Sequence, residues 1–77
     1  MIIIYTTPSC VYCKMAKAFF AEHNVQYEEK DVTKDDAARD AMIQKSGQMG
    51  VPVIDVHGKV VVGFDEDALT KFLGLES

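Results

Sequence analysis

The sequence predicts an α/β fold with the element order β-α-β-α-β-β-α, a four-stranded mixed sheet carrying helices on both faces. Three observations predict it. The run Ile2-Ile3-Ile4-Tyr5 is short, β-branched and apolar without alternation, as a strand buried on both faces should be. Segments with helical apolar spacing then alternate with short β-branched runs along the chain. Finally, Val53 to Val56 and Val60 to Val62 flank His57-Gly58, a two-residue turn suited to a tight hairpin.

Each element follows from its residues. After the Ile2 to Tyr5 strand, Thr6 to Ser9 form a loop shaped by Pro8, and Ser9 or Cys10 serves as the N-cap of the first helix. That helix runs to about His23, with Ala16, Phe19, Phe20 and His23 at helical spacing. Asn24 is its stop, in the left-handed conformation. Val25 to Val32 reads as the second strand, and its polar run Glu28-Glu29-Lys30-Asp31 assigns it to a sheet edge. Thr33 with Asp36 resembles a capping box for the second helix. Ala37, Ala38, Ala41 and Met42 give that helix a narrow apolar stripe, and Gly47 ends it. Asp65, Glu66 and Asp67 open the last helix, Ala68, Leu69, Phe72 and Leu73 form its buried face, and Gly74 stops it. The first β-α-β is expected to be a right-handed parallel crossover, and the hairpin must be antiparallel.

The chain has 77 residues, which fits one domain over residues 1–77. A chain of that size buries roughly 60–65% of its unfolded surface and should support itself narrowly. At 48% hydrophobic and 26% charged the composition is that of a globular protein. The formal charge of −4, with no Lys/Arg cluster, disfavours nucleic-acid and anionic-membrane partners. The apolar run at Ile2 is too short for a transmembrane helix or a signal-peptide core, so a cytoplasmic location is expected. No internal repeat, low-complexity tract or linker interrupts the chain.

The two cysteines, Cys10 and Cys13, carry the chemistry. In a reducing compartment a lone pair points to catalysis or metal binding rather than to a permanent staple. At i and i+3 they share one face of the first helical turn, within reach of disulfide geometry. A thiol at a helix N-terminus meets backbone N–H groups and the positive end of the dipole, which favour the nucleophilic thiolate. Cys10, at the exposed end, is the expected nucleophile, and Cys13, one turn in, the resolving thiol. Lys14 and Lys17 read first as solvated helix surface, with added positive charge near the thiols as the other reading.

A zinc site within the chain would need four ligands, and there is no second C-x-x-C. His23 lies about three helical turns from Cys10, roughly 15–20 Å along the axis, and His57 is in the hairpin turn. Neither reaches the pair, so no intrachain metal site is expected. A metal ion or iron–sulfur cluster shared by two chains through Cys10 is the competing reading. Met15, Met42 and Met49 read as core or gap-filling residues, with Met49 a candidate for the wall of a groove beside the thiols. Tyr12, between the cysteines, is a contact residue on this reading, and Phe64 is either a contact or core.

The element order, together with Tyr5-Thr6-Thr7-Pro8-Ser9-Cys10-Val11-Tyr12-Cys13-Lys14, Gly50-Val51-Pro52-Val53-Ile54 and Val62-Gly63-Phe64-Asp65, resembles the glutaredoxin type of the thioredoxin fold over essentially the whole chain. The resemblance implies a thiol–disulfide oxidoreductase, a small dithiol electron carrier in electron transport and cell redox homeostasis. It implies a cis bond at Val51–Pro52 beside the cysteines, where the Val51 backbone pairs with an extended thiol substrate. Without the resemblance, Pro52 reads simply as a strand start. It also implies that the backbone around Gly63 and Phe64, with the acidic Asp65, holds the polar end of glutathione at the entrance of the last helix.

Three positions depart from the usual glutaredoxin pattern. Val11 stands in place of a proline, Thr7 in place of a cation that binds a glutathione carboxylate, and Val62-Gly63 in place of a Gly-Gly pair. Val11 and the single Gly63 also resemble the glutaredoxin-like hydrogen donors of ribonucleotide reductase, which take electrons from thioredoxin reductase. The Gln that those proteins carry between the cysteines is missing, so the chain falls between the two groups. The expected partners are protein disulfides and either thioredoxin reductase or glutathione as electron donor. No cofactor is expected to be bound, NADPH entering only through a reductase, and the chain is expected to act as a monomer.

Overall fold

A computed structural model describes residues 2–75, so the domain expected over 1–77 includes three residues outside the described ones. The elements are β1 (Ile2–Thr6), α1 (Val11–Glu22), β2 (Glu28–Asp31), α2 (Asp36–Ser46), β3 (Val53–Val56), β4 (Lys59–Val62) and α3 (Glu66–Leu73). The sheet order is β2-β1-β3-β4. β1 runs parallel to β2 and antiparallel to β3, and β3 pairs antiparallel with β4. This is the predicted mixed sheet, with β2 at an edge as its polar run required.

Alternation along the strands divides the core. Ile2, Ile4, Ile54, Val56 and Val61 face α1 and α3, packing with Ala16, Phe19, Phe20 and Leu69. Tyr5 and Val53, with Ile3 and Val60 beside them, face α2 and meet Ala38 and Met42. β1 and β3 therefore bury both faces, which is why they read as continuous apolar runs. Beneath α2, Lys45 Nζ sits 2.8 Å from Asp55 Oδ2 and donates to the buried Tyr5 hydroxyl at 2.8 Å.

Five boundaries differ from the sequence reading, the first being that β1 runs on through Thr6, which pairs with Asp31. The second strand is Glu28–Asp31, not Val25 to Val32. Asn24 takes φ +57°, Asn24 N–H donates to Ala21 O and Val25 N–H to Phe20 O. This Schellman pair keeps Val25 in the close of α1 instead of the sheet. The N-cap of α2 is Asp35, whose Oδ1 accepts from Ala38 N–H at 3.0 Å. Thr33 instead turns its N–H and hydroxyl to Asp31 Oδ1, closing an Asx turn. Ala37 is consequently exposed, and Ala38 and Met42 alone form the buried stripe of α2. β4 begins one residue early, at Lys59.

Candidate active site

Strand register brings the predicted site residues to one end of the sheet. Tyr5 pairs with Val53 and Val53 with Val62, so the loop after β1, the loop before β3 and the exit of β4 all lie at that end. The first holds Cys10, the second Val51-Pro52 and the third Gly63-Phe64-Asp65.

Cys10 is the N-cap of α1. Its backbone is extended (φ −85°, ψ 114°), Cys10 N–H donates to Thr7 O at 3.3 Å, and Lys14 N–H donates to Cys10 O at 3.3 Å. The sulfur fills the place usually held by a serine or aspartate oxygen: Sγ accepts from Cys13 N–H at 3.1 Å. Of the two N-caps the sequence allowed, the cysteine is used. Both thiols are reduced; Cys10 is half-exposed, whereas Cys13 is 1% exposed. Burial, then the hydrogen bond with Cys10, pushes the Cys13 thiol up from 9.0 to about 12, against the pull of the Thr7 backbone and the Lys17 charge. The pair is thus asymmetric, with one sulfur reachable from solvent and one held protonated behind it.

The Val51–Pro52 bond is cis, and Pro52 is buried at the head of β3. Pro52 O accepts from Gly63 N–H at 2.8 Å, which ties the second and third predicted elements together. Gly63 has φ +80°, and a Cβ there would meet nothing within 4 Å. The residue is therefore required by its left-handed backbone and not by crowding. Asp65 caps α3, Oδ1 accepting from Ala68 N–H at 3.1 Å. Phe64 is half-buried against the core, 6.0 Å from Phe19 edge-on, so it packs inward more than it lines a groove.

Tyr12 is exposed, as expected of a contact residue. With Val11, Met15, Met49 and Val62 it belongs to a set of large apolar side chains that are each 44–66% exposed. Of the three methionines read as core or gap-filling residues only Met42 is buried; Met15 and Met49, the latter also a candidate for the wall of a groove, are exposed. A helix's outer face and a loop need no filler, which leaves both sulfur side chains outside. Two features had no signal in the sequence. Gln48 clasps the loop before Pro52, its Nε2 donating to Gly50 O at 3.0 Å and its Oε1 accepting from Gly50 N–H. Lys17 meets Glu29 across α1 and β2, and finding that pair needs the β1–β2 register. Among the described residues no group of three or more His, Cys, Asp or Glu side chains gathers to hold a metal ion. No helix among the described residues is long and apolar enough to cross a membrane.

The glutaredoxin family model matches residues 2–61, from the first strand through both cysteines and the cis proline to β4. The chain belongs to the glutaredoxin family. A glutaredoxin-like 8.6 kDa protein in the rubredoxin operon of Clostridium pasteurianum is 37% identical over 73 residues, covering 95% of this chain and 97% of the relative. Among solved structures, the thioredoxin-like protein BC3987 superposes with TM-score 0.88 at 38% identity, covering 94% of this chain and 99% of that one. The glutaredoxin-like NrdH-redoxin of Escherichia coli, described as having a thioredoxin-like activity profile, gives TM-score 0.82 at 26% identity, with 91% of each chain covered. The molecule is accordingly a glutaredoxin-like redox protein with the thioredoxin fold.

Proposed function

We propose that this protein is a cytoplasmic dithiol electron carrier that reduces protein disulfides or mixed disulfides. The observation that carries the reading is the asymmetry of the pair, a half-exposed Cys10 at a helix N-terminus and a buried, protonated Cys13 three residues on. The Cys10 thiolate attacks one sulfur of the substrate disulfide; that S–S bond breaks, the first substrate thiolate leaves, and a mixed disulfide forms. Cys13 gives its proton to solvent and attacks Cys10 Sγ. The mixed disulfide then breaks, the second substrate thiolate leaves and takes a proton, and the Cys10–Cys13 disulfide remains. Two electrons have passed to the substrate.

In this reading Tyr12 and the backbone of Val51, Pro52 and Gly63 receive the substrate, with Phe64 and Asp65 shaping the far side. The apolar side chains around Tyr12 suit a protein surface better than a small charged thiol. Thr7 supplies no cation for a glutathione carboxylate, and Asp65 is engaged as a helix cap. Thioredoxin reductase is therefore the electron donor we favour over glutathione. Nothing in the cycle requires a bound cofactor, since NADPH acts through the reductase.

The test supplies the oxidised protein with NADPH and either thioredoxin reductase or glutathione plus its reductase. Rapid NADPH consumption is expected with the first system and slow consumption with the second; rapid turnover with glutathione overturns the donor assignment. Cys10→Ser should abolish disulfide reduction and Cys13→Ser should accumulate mixed disulfides. Full activity of the Cys10→Ser protein would sink the mechanism itself.

A further inference from the structure

The resolving step asks a buried thiol to lose a proton where charge is disfavoured, and the Lys17 ammonium acts against that penalty. Lys17 follows Cys13 by four residues on α1, one turn on along the same face. Its Nζ lies 3.0 Å from Glu29 Oε2 on edge strand β2. The same oxygen accepts from the hydroxyl of Thr6 at 2.9 Å, and Thr6, the last residue of β1, is buried. One carboxylate therefore fastens the helix that carries the thiols to the two strands beneath it, and fixes where the ammonium stands.

The geometry points to Lys17 as a positioning residue for resolution: held by Glu29, its charge favours the Cys13 thiolate that attacks the mixed disulfide at Cys10. This rests on the dithiol cycle above and adds to it a residue outside the C-x-x-C motif. Both partners are charged through neutral pH. The hydrogen bond with Glu29 raises the Lys17 ammonium, and the hydrogen bond with Lys17, then that with Thr6, lowers the Glu29 carboxyl. The field of Lys17 acts on Cys13 against the larger upward push of burial. The groups that bear on the trio come from every neighbouring element. They are Cys10 from α1, the Thr6 hydroxyl and Thr7 backbone from β1 and its loop, and Tyr27 and Asp31 from the β2 segment.

In the step itself the Cys13 S–H bond is lost to solvent and the thiolate forms a bond to Cys10 Sγ. The bond from Cys10 to the partner sulfur breaks, and that sulfur leaves with the electron pair. Removing the Lys17 charge leaves this sequence intact and makes its first event rarer. A purely structural role would move stability and not the pH dependence.

The test forms a mixed disulfide between Cys10 and a chromophoric aromatic thiol at low pH, jumps the pH, and follows release of the coloured thiolate. For Lys17→Met the rate–pH profile should move to higher pH, with release at neutral pH about 2- to 5-fold slower, the upper part of the range for a partly solvated charge. Lys17→Arg should restore the profile. Glu29→Gln keeps both hydrogen bonds but removes the opposing charge, so its profile should move to lower pH. About 1 M salt should shrink all of these differences, since screening there acts over roughly 3 Å. As a second measurement, Cys13 alone is titrated by its ultraviolet thiolate absorbance in the Cys10→Ser protein, with the same ordering expected. An unmoved profile or titration for Lys17→Met, or displacement of Lys17→Met and Glu29→Gln in the same direction, overturns the role of Lys17. Failure of the parent protein to release the thiol at any pH refutes the dithiol cycle instead.

Discussion

Alkylation of the reduced protein tests the asymmetry of the two thiols directly. The perturbation is an excess of a small neutral alkylating agent at neutral pH. Only the thiolate reacts, and the Cys13 thiol is pushed up from 9.0 to about 12, so the fold lowers its thiolate population about a thousandfold. Its sulfur is also 1% exposed, which slows the reagent further. Cys10 is half-exposed, with its sulfur at the N-terminus of α1. The native protein should therefore take one adduct, on Cys10, with Cys13 labelled on the order of a thousandfold more slowly than in the unfolded chain. Blocking Cys10 removes the hydrogen bond that raises Cys13 but leaves burial, the larger cause, so protection should survive the first adduct. Intact mass followed by peptide mapping reads the outcome, and the same reaction in denaturant should give two adducts. Two adducts forming at comparable rates in the native protein, or a first adduct on Cys13, would refute the reasoning.

Three further outcomes can be checked by denaturant titration. In the fold Cys13 keeps its proton up to about pH 12 whereas the unfolded chain loses it near 9.0, so the unfolded state binds fewer protons between the two. Stability should thus be unaffected by this group below about pH 9 and fall by up to about 4 kcal/mol across that window; Cys13→Ala should flatten the decline. On the acid side, the Lys45 ammonium holds the Asp55 carboxyl below its usual range, which gives stability present at neutral pH and lost as pH falls through the folded value. Asp55→Asn should remove that acid slope and cost about 1 kcal/mol at neutral pH. Asp35→Ala should cost about 1 kcal/mol through loss of the α2 cap, and Thr33→Ala less than half of that. Equal effects would return the cap to Thr33.

Much of this was legible in the sequence because the informative residues act locally. Ile2 to Tyr5 must be buried on both faces whatever lies around it, and His57-Gly58 closes a hairpin by its own backbone preferences. Asn24 and Gly74 end helices where left-handed residues end them. Cys10 and Cys13 needed only their spacing and the start of a helix. The misreadings came where two local solutions compete. Thr33 and Asp35 are both good caps, and the nearby Asp31 decided between them by engaging Thr33. Val25 is an excellent strand residue, yet its N–H was already committed to Phe20. Met15 and Met49 are apolar enough for a core, yet one lies on the outer side of α1 and the other in the loop before Pro52. The Lys17–Glu29 pair depends on register, which no local pattern encodes.

The sulfur that caps α1 is also, in the proposed cycle, the atom that reacts, which would couple covalent chemistry to the mechanics of the helix. While Cys10 is a thiol or thiolate, Sγ holds the Cys13 N–H at 3.1 Å and pins the first turn shut. Once that sulfur is bonded to a partner, it carries less negative charge and accepts the N–H more weakly. In the proposed cycle, engagement of a substrate would therefore loosen the turn in which the second thiol lies, and the full cap would return only once Cys10 is a thiol or thiolate again. Amide exchange at Cys13 should accordingly be faster in the trapped mixed disulfide of the Cys10 sulfur than in the reduced protein, and equal rates would refute the coupling.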